Sequence, residues 1–145
     1  MTNPRWLVLT WRLPSALSTG RVATWRALQR LGAVGLTPGA AIVPHSEHLL
    51  EQLEWLAEDI VQRGGDAYVL PVTELPEADE EEIRRRMRTD RQDEYGRIRD
   101  AAERTRDRRE LAALRRGLSR AVERDHFASR GRDAAERALR RAEKE

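Results

Sequence analysis

Of the chain's 27 basic residues only Lys144 is a lysine, a bias that genome composition explains before any chemistry does, yet one that makes arginine the first residue to weigh. Arg offers a planar, permanently charged fork suited to carboxylates and phosphates. One group, Arg12, Arg21 and Arg26, flanks the segment 14–20, with Trp25 among them as a stacking wall. That segment joins a strand end to a helix start, and a helix start presents unpaired N–H groups and a positive dipole end. Such a site suits a tetrahedral dianion. One or two charged hydrogen bonds at roughly 1.5–3 kcal/mol each, with about 0.3–1 kcal/mol from the dipole, correspond to affinities of roughly 10 μM or weaker. The competing reading has Arg21 and Arg26 solvated or paired, and Trp25 as plain core.

A second group invites nucleic acid: Arg84, Arg85, Arg88 and Arg91, then Arg115, Arg116 and Arg120. Glu80, Glu81 and Glu82 precede Arg84, Arg85 and Arg86 by four residues, the orientation that favours pairing along a helix. A dedicated phosphate binder carries uncompensated charge. Arg115, Arg116 and Arg120, with fewer acids nearby, are therefore the stronger candidates. His45 and His48, beside Glu47 and Glu51, have the residue types of a metal site. Near a helix start they read as capping or surface residues, so no metal and no cofactor are expected. The chain has no cysteine, which excludes disulfides, thiolate catalysis and cysteine-type zinc sites. No Ser–His–Asp set, Walker motif or glycine-rich phosphate loop occurs, and the chain reads as non-enzymatic.

The elements that must position these residues follow from periodicity. Arg5–Leu13 alternates, with Leu7, Leu9, Trp11 and Leu13 on one face and Trp6 and Val8 on the other. Val22, Trp25, Leu28 and Leu31 recur at helical spacing up to Gly32. Ala33–Thr37 and Ala40–Val43 are short strands joined by Thr37-Pro38-Gly39-Ala40, a type II turn with Gly where φ is positive. A second helix starts near Ser46, carries Leu49, Leu53, Leu56 and Ile60 inward with Leu50, Ala57 and Val61 beside them, and ends at Gly64-Gly65. Ala67–Val72 is the last strand. The order βαββαβ folds most economically as a ferredoxin-like sandwich, an α+β class, with Trp6, Val8, Tyr68 and Leu70 on the face away from the helices.

From Pro76 the composition shifts to Arg, Glu, Asp and Ala with a thin apolar line, which predicts a helical extension of about three helices. Its acidic opening suits a helix N-terminus. Residues 1–75 thus form one module. Residues 76–145, with one narrow apolar face, must pack on that module, on a partner chain or on themselves. Charged residues make up 36% of the chain and mean hydropathy is −0.74, and no apolar run approaches a membrane span or a secretory signal. We read the chain as cytoplasmic, without a membrane partner.

The residues Trp6-Leu7-Val8-Leu9, Leu13-Pro14, Arg21-Val22-Ala23-Thr24-Trp25-Arg26-Ala27-Leu28, Leu31-Gly32-Ala33-Val34 and Ile42-Val43-Pro44 resemble the N-terminal domain of the chromate-resistance regulator ChrB family. Leu53-Glu54-Trp55-Leu56-Ala57 and Arg124-Asp125-His126-Phe127 extend the likeness over most of residues 5–142. In pattern alone the first half is also similar to the ferredoxin-like module of phenylacetate-pathway repressors and of small CRISPR-associated nucleases. The nuclease-type relatives end their first strand in a metal-binding carboxylate, whereas Thr10-Trp11-Arg12 offers none, which disfavours a metal nuclease. The resemblance implies a bacterial module tied to chromate response, with DNA, and chromate or another oxyanion, as expected partners. Full-length members carry a second domain, whose functions do not transfer. The alternative is a dimerisation or protein-interaction scaffold without nucleic acid; an oxyanion-handling enzyme would need catalytic groups that the sequence lacks. A homodimer is expected, because a sheet face bearing Trp6, Val8 and Leu70 exceeds the apolar patch of an ordinary monomer.

Overall fold

A computed structural model describes residues 3–14 and 18–145. The chain divides into two compact units, Met1–Glu81 and Glu82–Glu145. The first contains strand β1 (Trp6–Arg12), helix α1 (Ser18–Arg30), strands β2 (Val34–Thr37) and β3 (Ala40–Pro44), helix α2 (Glu47–Gln62) and strand β4 (Asp66–Val72). Helix α3 (Glu77–Arg104) begins in this unit, and the boundary falls within it. The second unit continues with α4 (Arg108–Glu123) and α5 (Arg132–Lys144).

The strands form one antiparallel sheet in the order β2-β3-β1-β4. β1 is central because it is the most apolar segment: Trp6, Leu7, Val8 and Leu9 are all buried. Leu7, Leu9 and Leu13 share one cluster with Leu28 from α1 and Leu49, Leu53 and Ile60 from α2. Ser46 caps α2, its hydroxyl accepting from the Leu49 N–H at 3.0 Å, and Gly64 ends the helix with φ +91. Gly39 takes the positive φ (+82) that the β2–β3 turn requires, and its carbonyl accepts from the Trp11 N–H at 2.8 Å.

Two apolar lines differ from expectation. The buried face of α1 runs through Gly20, Thr24 and Leu28, while Val22 and Trp25 are 50% and 40% exposed. Leu28 is the large side chain that α1 buries fully, and Leu31 packs beside it half-buried. On the sheet face away from the helices, Trp6 and Val8 are buried, but Tyr68 and Leu70 are 66% and 45% exposed. The register explains part of this split, since Val8 pairs with Leu70 and Thr10 with Tyr68, and β4 has a neighbour on one side only.

Three helices make the second core. Tyr95, Ile98, Leu111, Leu118 and Leu139 are packed together with Ala102, Ala121, Ala135, Ala138 and Ala142. The alanines hold the helices close, and the large residues fill the remaining space.

Candidate nucleic-acid interface

The first unit holds 6 basic and 11 acidic residues and is net −5; the second holds 21 basic and 14 acidic residues and is net +7. Net charge alone makes the second unit the more attractive of the two to a polyanion.

Most arginines of α3 are engaged. Arg85 donates to Glu82 through Nε at 2.9 Å and through NH2 at 2.5 Å, and these bonds hold the Glu82 carboxyl below the usual carboxylate range. Arg91 lies 3.2 Å from Glu94, both side chains well covered, and Arg124 from beyond α4 also pairs with Glu94. Burial pulls the Arg124 guanidinium down, and Glu94 opposes that loss. Arg84 and Arg88 stand over the Phe127 ring at 5.3 and 5.9 Å from its centroid, a cation–π arrangement. Phe127 is half-buried in the loop before α5.

Beneath these charges a polar network fixes the same loop. The Tyr95 hydroxyl donates to Asp125 at 2.9 Å, and Asp125 accepts from the Ser129 N–H and hydroxyl, the latter at 2.7 Å. Burial first, then the Asp125 hydrogen bond, pushes the Tyr95 phenol up from its ordinary value.

Helix α4 separates its arginines. Asp107 caps it, accepting from the N–H groups of Arg109 and Glu110 at 2.8 and 3.0 Å. Leu111, Leu118 and Ala121 are buried on one face. Arg115 lies at the edge of that face and is drawn across to α5, donating at 2.6 Å to Glu136 and at 2.6 Å to Glu143. These hydrogen bonds, the one to Glu143 foremost, raise the Arg115 guanidinium. On Glu136 burial works upward, yet the bonds from Arg115 and Arg140 leave it below its ordinary value.

Arg109, Arg116 and Arg120 follow a different line. Spacings of seven and four residues keep them within about 40° of one another, opposite the buried leucines, and spread them over roughly 16 Å of axis. All three are exposed. Arg137, Arg141 and Lys144 make a similar exposed line on α5, opposite buried Ala135, Ala138 and Leu139. Of the sequence candidates, Arg116 and Arg120 therefore fall on the exposed stripe. Arg85, Arg91 and Arg115 are in ion pairs, and Arg84 and Arg88 lie on an aromatic ring. Arg109 was missed in the sequence, although its offset from Arg116 and Arg120, set against Leu111 and Leu118, is a readable signal.

The oxyanion candidates do not converge. Arg12 donates to Asp66 at 2.8 Å at the ends of β1 and β4. Arg21 and Arg26 lie about 140° apart around α1, both exposed. Trp25 faces the β2–β3 hairpin, where a Cβ on Gly35 would lie 3.6 Å from its Cη2 atom. There it lines an open apolar cavity of about 290 Å³ with Trp11, Leu36 and Pro38. Residues 15–17 of the connecting segment lie outside the described residues. Among the described residues no group of three or more His, Asp or Glu could hold a metal ion.

Residues 21–107 match the family model described as Protein ChrB, N-terminal. Protein ChrB of Cupriavidus metallidurans is 36% identical over 90 residues, which is 62% of this chain and 27% of that relative. The chain thus spans about a quarter of the relative's length. No solved structure matches. The family match contains Trp25, Trp55 and the α3 arginines, while the exposed α4 stripe lies just beyond it.

Proposed function

Because the chain belongs to the ChrB N-terminal family, we propose that it is a non-enzymatic, cytoplasmic regulatory module of the chromate response that contacts DNA through its helical unit. The observation that carries this reading is the exposed Arg109–Arg116–Arg120 line on a unit of net charge +7. Three arginines on the solvent side of one helix, without carboxylates aligned between them, can neutralise about three phosphates. The first unit, with a split βαβ strand order that supports the ferredoxin-like reading, is the frame on which a response to chromate or a similar oxyanion would act.

The test is a mobility shift on duplex DNA at several salt concentrations. Three phosphates predict that log K falls against log salt with a slope of about −2.7. Arg109→Gln, Arg116→Gln and Arg120→Gln together should flatten it to that set by the remaining charges. A wild-type slope near zero would reject DNA contact, and a chromate arm in the same assay tests the link to the oxyanion. The second reading, an interaction scaffold, is favoured by Trp55, which is 68% exposed on the first unit.

A further inference from the structure

The exposed face of α1 and α2 is divided by charge. α1 holds Arg21, Arg26 and Arg30 with no acidic residue, and α2 holds Glu47, Glu51, Glu54, Glu58 and Asp59 with no Lys or Arg. A groove of about 310 Å³ runs between them, lined by Ala27, Leu31 and Leu56, with Arg30 from α1 and Asp59 from α2. Trp55 also borders this groove and is the most exposed large apolar residue described. Its place follows from the helix period. Leu49, Leu53 and Ile60 are buried, and Trp55 lies on the opposite face between Glu51, Glu58 and Asp59. Asp59 accepts from Arg63 at 3.0 Å, leaving Glu51 and Glu58 beside the indole. The indole is continuous with the apolar groove that it borders, which makes the two one patch rather than a lone exposed side chain.

We propose that this face joins two copies of the chain about a two-fold axis, α1 of each copy against α2 of the other, with each Trp55 seated in the opposite α1–α2 groove. Charge complementarity selects this occupant. A two-fold contact brings each basic helix onto an acidic one and does so twice. DNA and anionic lipid are both repelled by α2, and a uniformly basic partner is repelled by α1. Arg26 and Arg30 of one copy reach the carboxylates flanking Trp55 of the other and can cover its ring. Trp and Arg are also the side chains on which interface affinity concentrates. Two helices about 20 and 24 Å long offer an interface at the low end of the specific range, which places the dimer in the micromolar regime. The sequence pointed to self-association through the sheet; the exposed indole points to the helices.

The test is sedimentation equilibrium of the full chain from about 1 to 200 μM. The wild type should dimerise within that range, and Trp55→Ala should weaken the dimer by about tenfold or more. The decisive pair reverses each helix. A variant with Arg26→Glu and Arg30→Glu, and another with Glu51→Arg and Glu58→Arg, should each be monomeric, and an equimolar mixture should form a heterodimer. Circular dichroism establishes that each variant is folded, and Trp55→Ala, a surface change, serves if a reversal variant does not fold. A wild type monomeric to 200 μM overturns the proposal, as does a dimer indifferent to Trp55→Ala or a mixture of folded variants that stays monomeric.

Discussion

Arg115 and Arg116 are adjacent and chemically identical, yet Arg115 is paired with two carboxylates and Arg116 is exposed, so substituting each by Gln tests stability apart from the proposed DNA binding. Arg115 bridges Glu136 and Glu143 at 2.6 Å each, with all three side chains about a third exposed. Pairs this exposed contribute roughly 0.2–1 kcal/mol each, so Arg115→Gln should cost about 1 kcal/mol. For a unit of 64 residues that lowers the melting midpoint by about 4–8 °C. Its effect on the salt slope of DNA binding should be near zero, because its guanidinium is already occupied. On the proposed DNA contact, Arg116→Gln removes one phosphate partner. The slope should flatten by about 0.9, which at 0.1 M salt is a loss of about eightfold in affinity relative to a 1 M reference. Its stability should stay within about 0.5 kcal/mol of wild type, as for an exposed residue away from the core. Thermal melts followed at 222 nm and mobility shifts at four salt concentrations read both effects. If Arg115→Gln flattens the slope as much as Arg116→Gln, the α4–α5 pairing does not withhold Arg115 from phosphate, and the division of the α4 arginines is wrong.

Three further outcomes follow from the geometry. Tyr95→Phe removes a hydrogen bond to a carboxylate that keeps its Ser129 donors, and should cost the second unit about 1–2 kcal/mol in urea unfolding. Because the Tyr95 phenol is raised in the folded state, wild-type stability from this group is complete below pH 10 and declines as pH rises above it, whereas Tyr95→Phe lacks that alkaline loss. Glu136 is lowered in the folded state, so its contribution is present above about pH 4.5 and fades as pH falls through its folded value; Glu136→Gln should reduce this acid sensitivity in a pH series of melts. Gly39→Ala would place a Cβ 2.6 Å from the Trp11 carbonyl oxygen at φ +82. The first unit should lose at least about 2 kcal/mol, measured by denaturant midpoint.

Where neighbours in sequence are neighbours in space, the fold was legible. Ser46 and Gly64 bracket α2 as capping chemistry dictates, and Gly39 sits at the turn position that demands it. The buried face of α1 was not legible, because Trp25 and Val22 outweigh Gly20 and Thr24 on any apolar scale, yet Gly20 and Thr24 are the buried positions. The site was legible only as a composition. Arg115 and Arg116 are indistinguishable in the chain, since the carboxylates that claim Arg115 come from 21 and 28 residues away. Arg84 and Arg88 likewise find Phe127 about forty residues on, a distance no local pattern spans. Glu80, placed by its spacing as a partner for Arg84, accepts from Arg5 at 2.7 Å, fastening the start of α3 to the strand end of the first unit.

The opposite signs of the two units, −5 and +7, reach beyond either surface. A nucleic acid drifting nearby feels a pull toward one portion of the chain and a push from the other within about 8–10 Å at ordinary ionic strength. On the proposed DNA contact, charge would sort encounters before any bond forms, and the acidic unit would help decide which collisions count.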